Sequence, residues 1–297
     1  LRCLVGSEMC IRDRLYYSDM KKRHIILGIG IILLIVAILV ILFGQDKIVL
    51  QAVALPTEYE FQFDDAYEEF FFEKEAVTIN ALLFRSEQQP SKGLVFYLHG
   101  NADNLQRHAR RYSDFTEKGY DIFMMDYRSY GKSRGETNEA VFHEDVRWIF
   151  GEALKICETT AAETIVYGRS LGTGMASKLA SEQKVKCLIL ETPYSKIADI
   201  PNYYFPLLPY DKFLKYTFRT CDWLDKVSCN TYIIHGTKDW IVPYKSGCKL
   251  KNVMPNAHHF ITIKGGHHNN LPTFSAYHDY LELFLDDNLT EKQGSKK

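Results

Sequence analysis

Residues 164–172 read TIVYGRSLG, and the fold prediction starts from them. An apolar run, Thr164 to Tyr167, leads directly into a Gly-x-Ser-x-Gly pattern centred on Ser170, and a helix-like stretch, Ala176 to Ala180, follows it. The glycines of the pattern permit a sharp, strained turn from strand to helix that holds the serine hydroxyl clear of the backbone. A chance match is expected in roughly one chain in twenty, so the position between strand and helix carries the prediction.

Further short apolar runs lie on both sides of this stretch. They are Leu94 to Leu98, Ile122 to Met125, Leu188 to Leu190, Tyr232 to Ile234 and Phe260 to Ile263. Runs of this length are typical of strands buried on both faces of a parallel sheet. Segments with helical spacing lie between them, chiefly Asn138 to Ile156 and Phe274 to Leu285, and Glu68 to Arg85 predicts two earlier strands. The alternation predicts an α/β fold with a mostly parallel, doubly wound sheet.

A serine hydroxyl is a poor nucleophile until a base removes its proton, and the base needs a carboxylate to orient it. Asp239 follows the run at Tyr232 within the sequence HGTKDWIVP, and His268 follows the run at Phe260 within GGHHNN. Both then lie at the carboxyl ends of strands, where sites assemble in open α/β sheets. His267 is adjacent to His268 and leaves the identity of the base open, and we favour His268.

The nucleophile also needs two backbone N–H groups that face the carbonyl oxygen as it becomes negative. Leu171 follows the serine directly and supplies one of these groups. The other is expected in the loop after an early strand, where His99-Gly100-Asn101 lies. We assign it to Asn101, with His99 and Gly100 shaping the turn.

The segment from residue 194 to residue 229 interrupts the alternation of strands and helices. It contains the aromatic, proline-containing run from Tyr203 to Tyr210. Because the segment falls between two strands of the sheet, it suits a small cap over the site. Ordinary helix packing is an equally good reading.

Five sequence blocks occur in the order HGNADN, DYRSYGKSRG, GRSLGTG, HGTKDWIVP and GGHHNN. With them the chain resembles α/β-hydrolases over residues 68–287. The closest resemblance is to the membrane-anchored subgroup related to protein depalmitoylases, and to serine aminopeptidase-like and monoacylglycerol lipase-like enzymes. The resemblance implies Ser170 as nucleophile, Asp239 as acid and His268 as base. Ser129 departs from the family pattern, which usually has glycine there.

The resemblance implies a serine hydrolase of esters or thioesters, acting on acyl lipids or acylated proteins through an acyl-enzyme, without a metal or an organic cofactor. A serine aminopeptidase-like peptidase is the alternative within enzymes, because the fold supports many chemistries. A catalytically silent, membrane-anchored binding module is the alternative from another class. The intact serine, acid and histidine argue against this module.

Residues 25–43 form a run of nineteen residues without a charge or a proline. At about 1.5 Å per residue, such a helix spans about 28 Å, close to the hydrocarbon core of a bilayer. This predicts a single transmembrane anchor, with a cleavable signal peptide as the rival. Lys21, Lys22 and Arg23 precede the run, so the positive-inside rule places the catalytic domain outside the cytoplasm.

The remaining boundaries follow from composition. Residues 3–14, CLVGSEMCIRDR, resemble a translated sequencing adapter, so we expect residues 1–19 to be non-native and Met20 to be the natural start. Residues 20–24 form a basic flank, 44–67 a linker, 68–287 the hydrolase domain with its cap at about 194–229, and 288–297 a polar tail. The 36 basic and 37 acidic residues argue against a nucleic-acid partner. The cysteines from residue 157 onward lack CxxC pairing, which argues against a zinc site.

Overall fold

The computed structural model describes residues 16–17, 19–33, 35–36, 44–206, 208–254 and 259–287. The chain divides into two compact units, residues 1–48 and residues 49–297. In the first unit, residues 19–33 are helical. Among the described residues, no helix combines the length and the apolar character that a membrane crossing requires. The predicted anchor at 25–43 includes residues 34 and 37–43, which lie outside the described residues, so the structure does not support it and it stays a prediction.

The second unit has ten described strands, of which the eight that are longer than two residues agree with the predicted runs. The ten strands are β1 (Gln51–Ala52), β2 (Glu68–Lys74), β3 (Val77–Phe84), β4 (Leu94–Leu98), β5 (Ala102–Asp103), β6 (Asp121–Met125), β7 (Thr164–Arg169), β8 (Cys187–Glu191), β9 (Asn230–Gly236) and β10 (Phe260–Ile263). Among the described residues, eight of these form one sheet in the order β10-β9-β8-β7-β4-β6-β3-β2. Strands β2 and β3 pair antiparallel, β3 pairs antiparallel with β6, and the remaining neighbours are parallel. The predicted mostly parallel α/β sheet is therefore confirmed.

Helices connect the strands. They are α1 (Gln45–Val49), α2 (Leu105–His108), α3 (Ser113–Thr116), α4 (Glu139–Ile156), α5 (Gly172–Glu182), α6 (Asp199–Tyr204), α7 (Thr220–Leu224), α8 (Tyr244–Lys249) and α9 (Ser275–Leu285). Short 3₁₀ turns lie at Ala109–Arg111, Ala161–Glu163, Tyr210–Lys212, Leu250–Asn252 and Leu271–Thr273. The Asn138 side chain caps α4 by accepting from the N–H of Val141, which sets the start of this helix one residue after the predicted boundary.

The central strands are buried on both faces, and successive residues pack into two different cores. In β4, Phe96 and Leu98 join one hydrophobic cluster, while Val95 and Tyr97 join the other. Side chains alternate across a strand, so a run without polar residues is what a sheet with helices on both sides needs. This alternation explains why short continuous apolar runs located the strands correctly.

The predicted linker at 44–67 contains more structure than its composition indicated. Strand β1 pairs in parallel with β5, so Gln51 lies opposite Ala102 beside the loop that follows β4. Phe61 is buried against the core. The pattern gave no signal for either feature, because a two-residue strand is too short for a periodicity and a single aromatic residue defines no element.

The predicted cap segment, residues 194–229, contains α6, the 3₁₀ turn at Tyr210–Lys212 and α7. Helix α7 packs against α5, whereas Tyr203, Phe205 and Leu208 are exposed. The predicted helix packing is found at one end of the segment, and the cap stays a prediction. One end packs as an ordinary helix, and the other presents aromatic side chains to solvent.

The turn between β7 and α5 brings two pieces of backbone unusually close. Ser170 has φ of +51°, in the left-handed region that side chains rarely adopt. A Cβ on Gly172 would lie 2.1 Å from the carbonyl oxygen of Leu98 and 2.7 Å from that of His99. Only glycine fits at this crossing of α5 over the end of β4.

We expect Gly172→Ala to destabilise the protein by about 1–3 kcal/mol, because backbone atoms of β4 have to move. For a domain of this size that corresponds to a melting temperature lower by about 2–4 °C per kcal/mol. Gly151→Ala is the matched control: Gly151 lies within α4, and a Cβ there meets nothing within 4 Å. This control should gain up to about 1 kcal/mol from helix propensity. Thermal unfolding followed by circular dichroism compares them, and equal melting of Gly172→Ala and wild type would contradict the close approach.

Candidate active site

The carboxyl ends of four parallel strands carry the predicted side chains to one edge of the sheet. Ser170 follows β7, Asn101 follows β4, Asp239 follows β9 and His268 follows β10. The strand order places β4, β7, β8, β9 and β10 side by side. Residues that are up to 167 positions apart in the sequence therefore meet, as the order of the blocks predicted.

Ser170, His268 and Asp239 form one hydrogen-bonded chain. His268 Nε2 lies 2.9 Å from Ser170 Oγ, and His268 Nδ1 lies 2.7 Å from Asp239 Oδ2. All three side chains are buried. The carboxylate accepts the Nδ1 proton, so Nε2 is left as the acceptor for the serine hydroxyl. This is the arrangement in which a serine proton moves to an imidazole.

The adjacent histidine is oriented differently. His267 is exposed, and its backbone N–H donates to Asn270 Oδ1 at 2.6 Å. Adjacent residues in a turn project in different directions, so only one of the pair faces the serine. The structure places His268 there, which is the histidine that the sequence analysis favoured.

Asp239 is more firmly held than the sequence indicated. Its Oδ1 accepts the N–H groups of Ile241 at 3.0 Å and Val242 at 2.8 Å, and its Oδ2 lies 3.3 Å from His235 Nε2. Burial raises the pKa of Asp239, but the hydrogen bonds from His235 and His268 and their charges outweigh burial and hold the pKa well below its usual range. The carboxylate therefore stays ionised beside His268.

His235 is a site residue that the sequence analysis missed. Its Nε2 lies 3.1 Å from the carbonyl oxygen of Val242 as well as close to Asp239, so the Nε2–H tautomer satisfies both acceptors. Gly247 leaves room for the ring, since a Cβ there would lie 2.3 Å from His235 Nδ1. The available signal was the spacing of His235 four residues before Asp239 in the HGTKDWIVP block.

The two predicted N–H donors flank the serine. Among the described residues, the backbone N–H groups of Leu171 and Asn101 have no hydrogen-bond acceptor. A Cβ on Gly100 would lie 3.5 Å from the Cβ of Ser170, so the loop after β4 lies against Ser170. His99 Nδ1 lies 2.7 Å from the Gly100 carbonyl oxygen. In a trans peptide the N–H points opposite to the C=O, so this bond turns the N–H of Asn101 away from His99.

A cavity of about 680 Å³ opens onto Ser170 and His268. Tyr204, Trp240 and Ile241 supply apolar surface to its wall. Its polar lining consists of Gln51, Asn101, Arg107, His108, Arg169 and Asn269. Of the predicted aromatic segment, Tyr204 reaches the cavity, and its hydroxyl donates to the backbone carbonyl of Trp240. Among the described residues, no three His, Cys, Asp or Glu side chains are grouped to hold a metal ion.

A second buried carboxylate lies behind the site, and sequence reasoning did not single it out. Glu191 ends β8 and accepts hydrogen bonds from Arg111 Nη1 at 2.9 Å, from Arg169 Nε at 3.0 Å, and from the hydroxyls of Tyr167 and Tyr277. Burial raises the pKa of Glu191, but the charges of Arg111 and Arg169 outweigh burial and lower the pKa to about 2. A glutamate at the end of an apolar run is the only signal that the sequence offered.

Ser129, the departure from the family pattern, has φ of +72°. The left-handed region is the reason that a glycine suits this position, since a side chain there is strained. The neighbouring Tyr127 and Tyr130 donate to the carbonyl oxygens of His99 and Asn101 at 2.9 and 2.8 Å. The loop after β6 therefore supports the loop after β4.

Comparison with known proteins finds sequences that are similar to this chain. A family model described as serine aminopeptidase, S33, matches residues 89–221. Alpha/beta hydrolase domain-containing protein 17C of Xenopus tropicalis is 28% identical over 229 residues, which cover 76% of this chain and 72% of the relative. An uncharacterized protein of Escherichia coli (strain K12) is 25% identical over 198 residues, which cover 65% of this chain and 68% of that protein.

Solved structures share the fold at lower sequence identity. An esterase of Pyrococcus furiosus superposes with a TM-score of 0.60 at 18% identity, covering 80% of this chain and 98% of the esterase. A soluble variant of monoglyceride lipase from Saccharomyces cerevisiae also gives a TM-score of 0.60, at 16% identity, covering 79% of this chain and 99% of the lipase. These structures establish the fold and leave the substrate open.

We expect Glu191→Gln to lower the free energy of unfolding at pH 7 by about 3 kcal/mol, because two arginines lose a buried counter-charge. The pKa of Glu191 is about 2 in the folded protein and 4.5 is its ordinary value. Its stabilisation is therefore complete above about pH 5 and is lost as the pH falls toward 2.

Urea unfolding of the wild type and of Glu191→Gln at pH 7 and at pH 3.5 measures the difference in their free energies of unfolding. This difference should be smaller at the lower pH. Glu182→Gln is the control, because Glu182 pairs with Arg147 and Lys178 near the surface and should contribute less than about 1 kcal/mol. A difference for Glu191→Gln that does not change with pH would contradict the ionised, buried carboxylate.

Proposed function

We propose that this chain, which belongs to the α/β-hydrolase family, is a serine hydrolase that cleaves carboxylic ester or thioester bonds through an acyl-enzyme. The observation that carries the proposal is the hydrogen-bonded chain from Ser170 through His268 to Asp239, at 2.9 and 2.7 Å. Its members come from three different strand ends, and no structural need of the sheet requires them to meet. Such a buried chain is a functional-site signature with a physical rationale.

In the proposed mechanism, Ser170 Oγ attacks the carbonyl carbon of the substrate while His268 Nε2 accepts the hydroxyl proton. Asp239, kept ionised by its own hydrogen bonds, stabilises the imidazolium that forms. The tetrahedral intermediate collapses, the carbon–oxygen or carbon–sulfur bond to the leaving group breaks, and His268 returns the proton to that group. Water, deprotonated by the same histidine, then attacks the acyl-enzyme and regenerates Ser170.

The N–H groups of Asn101 and Leu171 serve as the oxyanion hole in this proposal. Their lack of a protein acceptor supports it, because a donor that is free in the resting protein costs nothing to redirect to a developing oxyanion. Loss of one such donor typically reduces turnover about 10²- to 10³-fold. The His99 contact that fixes the Gly100–Asn101 peptide pre-organises one of the two donors.

For the substrate we propose an acyl lipid or an acylated protein. The apolar part of the cavity wall at Tyr204, Trp240 and Ile241 supports this choice, because apolar surface beside the nucleophile favours an acyl chain. The names of the solved neighbours, an esterase and a monoglyceride lipase, are consistent with it. The family model described as serine aminopeptidase keeps a peptidase as the second candidate.

We propose that residues 25–43 anchor this enzyme in a membrane as a single-pass protein with the catalytic domain extracytoplasmic. The proposal rests on the nineteen uncharged residues of the segment and on the basic flank that precedes it. Protease protection in intact cells or spheroplasts tests the orientation. A silent binding module is disfavoured because Ser170, His268 and Asp239 are all present and joined.

We expect Ser170→Ala to abolish labelling by a fluorophosphonate probe and to reduce hydrolysis of p-nitrophenyl octanoate at least about 10³-fold. His268→Ala should have the same effect, because no other base reaches Ser170 Oγ in the described structure. His267→Ala and Ser181→Ala are matched controls outside the chain of hydrogen bonds, and both should keep most activity. Unchanged hydrolysis in Ser170→Ala would refute the serine-hydrolase proposal, and a dead His267→Ala with an active His268→Ala would reassign the base.

We expect longer acyl chains to be hydrolysed faster than acetyl, since each buried CH₂ contributes up to about 0.8 kcal/mol, or nearly fourfold, to transition-state binding. The measurement is kcat/KM for p-nitrophenyl acetate, butyrate and octanoate below their critical micelle concentrations. Alanyl p-nitroanilide is measured alongside. A profile that peaks at acetate contradicts the acyl-chain proposal, and faster cleavage of the anilide than of the octanoate favours the peptidase.

A further inference from the structure

Arg169 precedes the nucleophile directly, and the proposed mechanism makes no use of it. Its side chain is only 12% exposed and lines the cavity. The guanidinium bonds in two directions. Nε donates to Glu191 Oε1 at 3.0 Å, while Nη2 donates to the backbone carbonyl of His268 at 3.2 Å and to Asn269 Oδ1 at 2.7 Å.

One end of this connection is rigid. Glu191 is 1% exposed, and the bonds from Arg111, Tyr167 and Tyr277 hold its carboxylate in place without Arg169. Arg169 and Glu191 also lie opposite each other in the pairing of β7 with β8. The guanidinium is therefore fixed to the central sheet at its Nε side.

The other end is a turn that needs support. The loop from Gly265 to Asn270 is tied to the chain near Asp239 by the N–H of Lys238, which donates to the Gly266 carbonyl at 2.8 Å. That bond lies two residues before His268. In the described structure, Arg169 makes the only side-chain hydrogen bond to the His268 backbone. The imidazole itself is held by Asp239 and by Ser170, and Ser170 gives up its proton and becomes acylated during the proposed reaction.

We propose that Arg169 is a positioning residue, which ties the loop of His268 and Asn269 to Glu191 and thereby fixes the distance from the imidazole to Ser170. The inference rests on the proposed function. A planar guanidinium suits the task because its Nε and Nη2 donors point along different directions from one rigid group. Displacing a catalytic base by about 1 Å is enough to reduce turnover about 10²-fold.

Arg169→Gln removes this connection and leaves Glu191 bonded to Arg111 and two tyrosines. We expect kcat for p-nitrophenyl octanoate to fall about 10- to 100-fold with KM changed less than about threefold, because orientation rather than substrate binding is lost. Arg169→Lys keeps the positive charge but lacks the planar guanidinium with its two donor directions, so its kcat should lie between those of wild type and Arg169→Gln. Arg147→Gln is the control, since Arg147 makes the same kind of two-bond ion pair with Glu182 on the surface.

Asn269→Ala removes one partner of Arg169 without uncovering a buried charge, so it guards against a loss that merely reflects unfolding. We expect Asn269→Ala to lower kcat by about 3- to 10-fold, less than Arg169→Gln does. Adding Asn269→Ala to Arg169→Gln should lower kcat hardly any further, because the two side chains act through one contact. If the fall in kcat of the double variant equals the product of the two single falls, the proposal is overturned. Unchanged kcat in Arg169→Gln would overturn it as well.

A readout that does not depend on activity separates this inference from the proposed function. Proton NMR of the wild type should show a downfield signal for the His268 Nδ1–H that bonds to Asp239, and Asp239→Ala identifies that signal by its loss. In Arg169→Gln the signal should broaden or vanish at a temperature where circular dichroism shows the variant to be folded, and in Arg147→Gln it should persist. A sharp, unshifted signal in Arg169→Gln contradicts the positioning role, whereas a wild type that shows the signal without hydrolysing any ester contradicts the proposed function alone.

Discussion

The left-handed backbone of Ser170 is the constraint on which the rest of the site depends. With φ at +51°, the chain turns abruptly from β7 into α5, and the helix then crosses the end of β4 so closely that Gly172 has no room for a side chain. The turn is held by the N–H of Ser170, which donates to the Glu191 carbonyl oxygen at 2.9 Å, and by Thr173, whose N–H donates to the Ser170 carbonyl oxygen at 3.0 Å. The strained backbone of Ser170 persists because the packing and the hydrogen bonds on both sides of it hold it in this conformation.

The turn also fixes which neighbours the serine can have. Because α5 passes over β4, the loop after β4 is forced against Ser170, and Gly100 lies within van der Waals reach of it. The neighbouring strands β8, β9 and β10 end at the same edge of the sheet, so their loops converge on the serine from the other side. Asn101, a proposed oxyanion donor, and the proposed acid–base pair of Asp239 and His268 therefore approach Ser170 from opposite sides of β7.

Two buried carboxylates, Asp239 and Glu191, each neutralise a different set of neighbouring groups. Asp239 faces two histidines and two backbone N–H groups and stays ionised where a proton has to be shared. Glu191 faces two arginines and two tyrosine hydroxyls and neutralises cations that hold the surrounding loops. Each carboxylate is fully hydrogen-bonded, which offsets the cost of burial. The first is in contact with the proposed catalytic base, and the second reaches that base only through Arg169.

The amino-acid sequence alone was enough to predict the sheet, the serine turn, and the order of serine, acid and histidine, because each depends on a local pattern. An apolar run of five residues identifies a buried strand wherever it stands, and Gly168-x-Ser170-x-Gly172 describes one turn. The choice of His268 over His267 was favoured by the sequence, yet it was decided by the direction in which each side chain leaves the turn. His235 and Glu191 offered only weak local signals, a spacing before Asp239 and an acidic residue at the end of an apolar run, and Arg169 and β1 offered none. Their roles arise from contacts between segments far apart in the chain, such as Arg169 with Asn269 and Arg111 with Glu191. These roles can be recognised only in the folded protein, because a hydrogen bond between distant side chains depends on where the strands place them and not on their neighbours in the sequence.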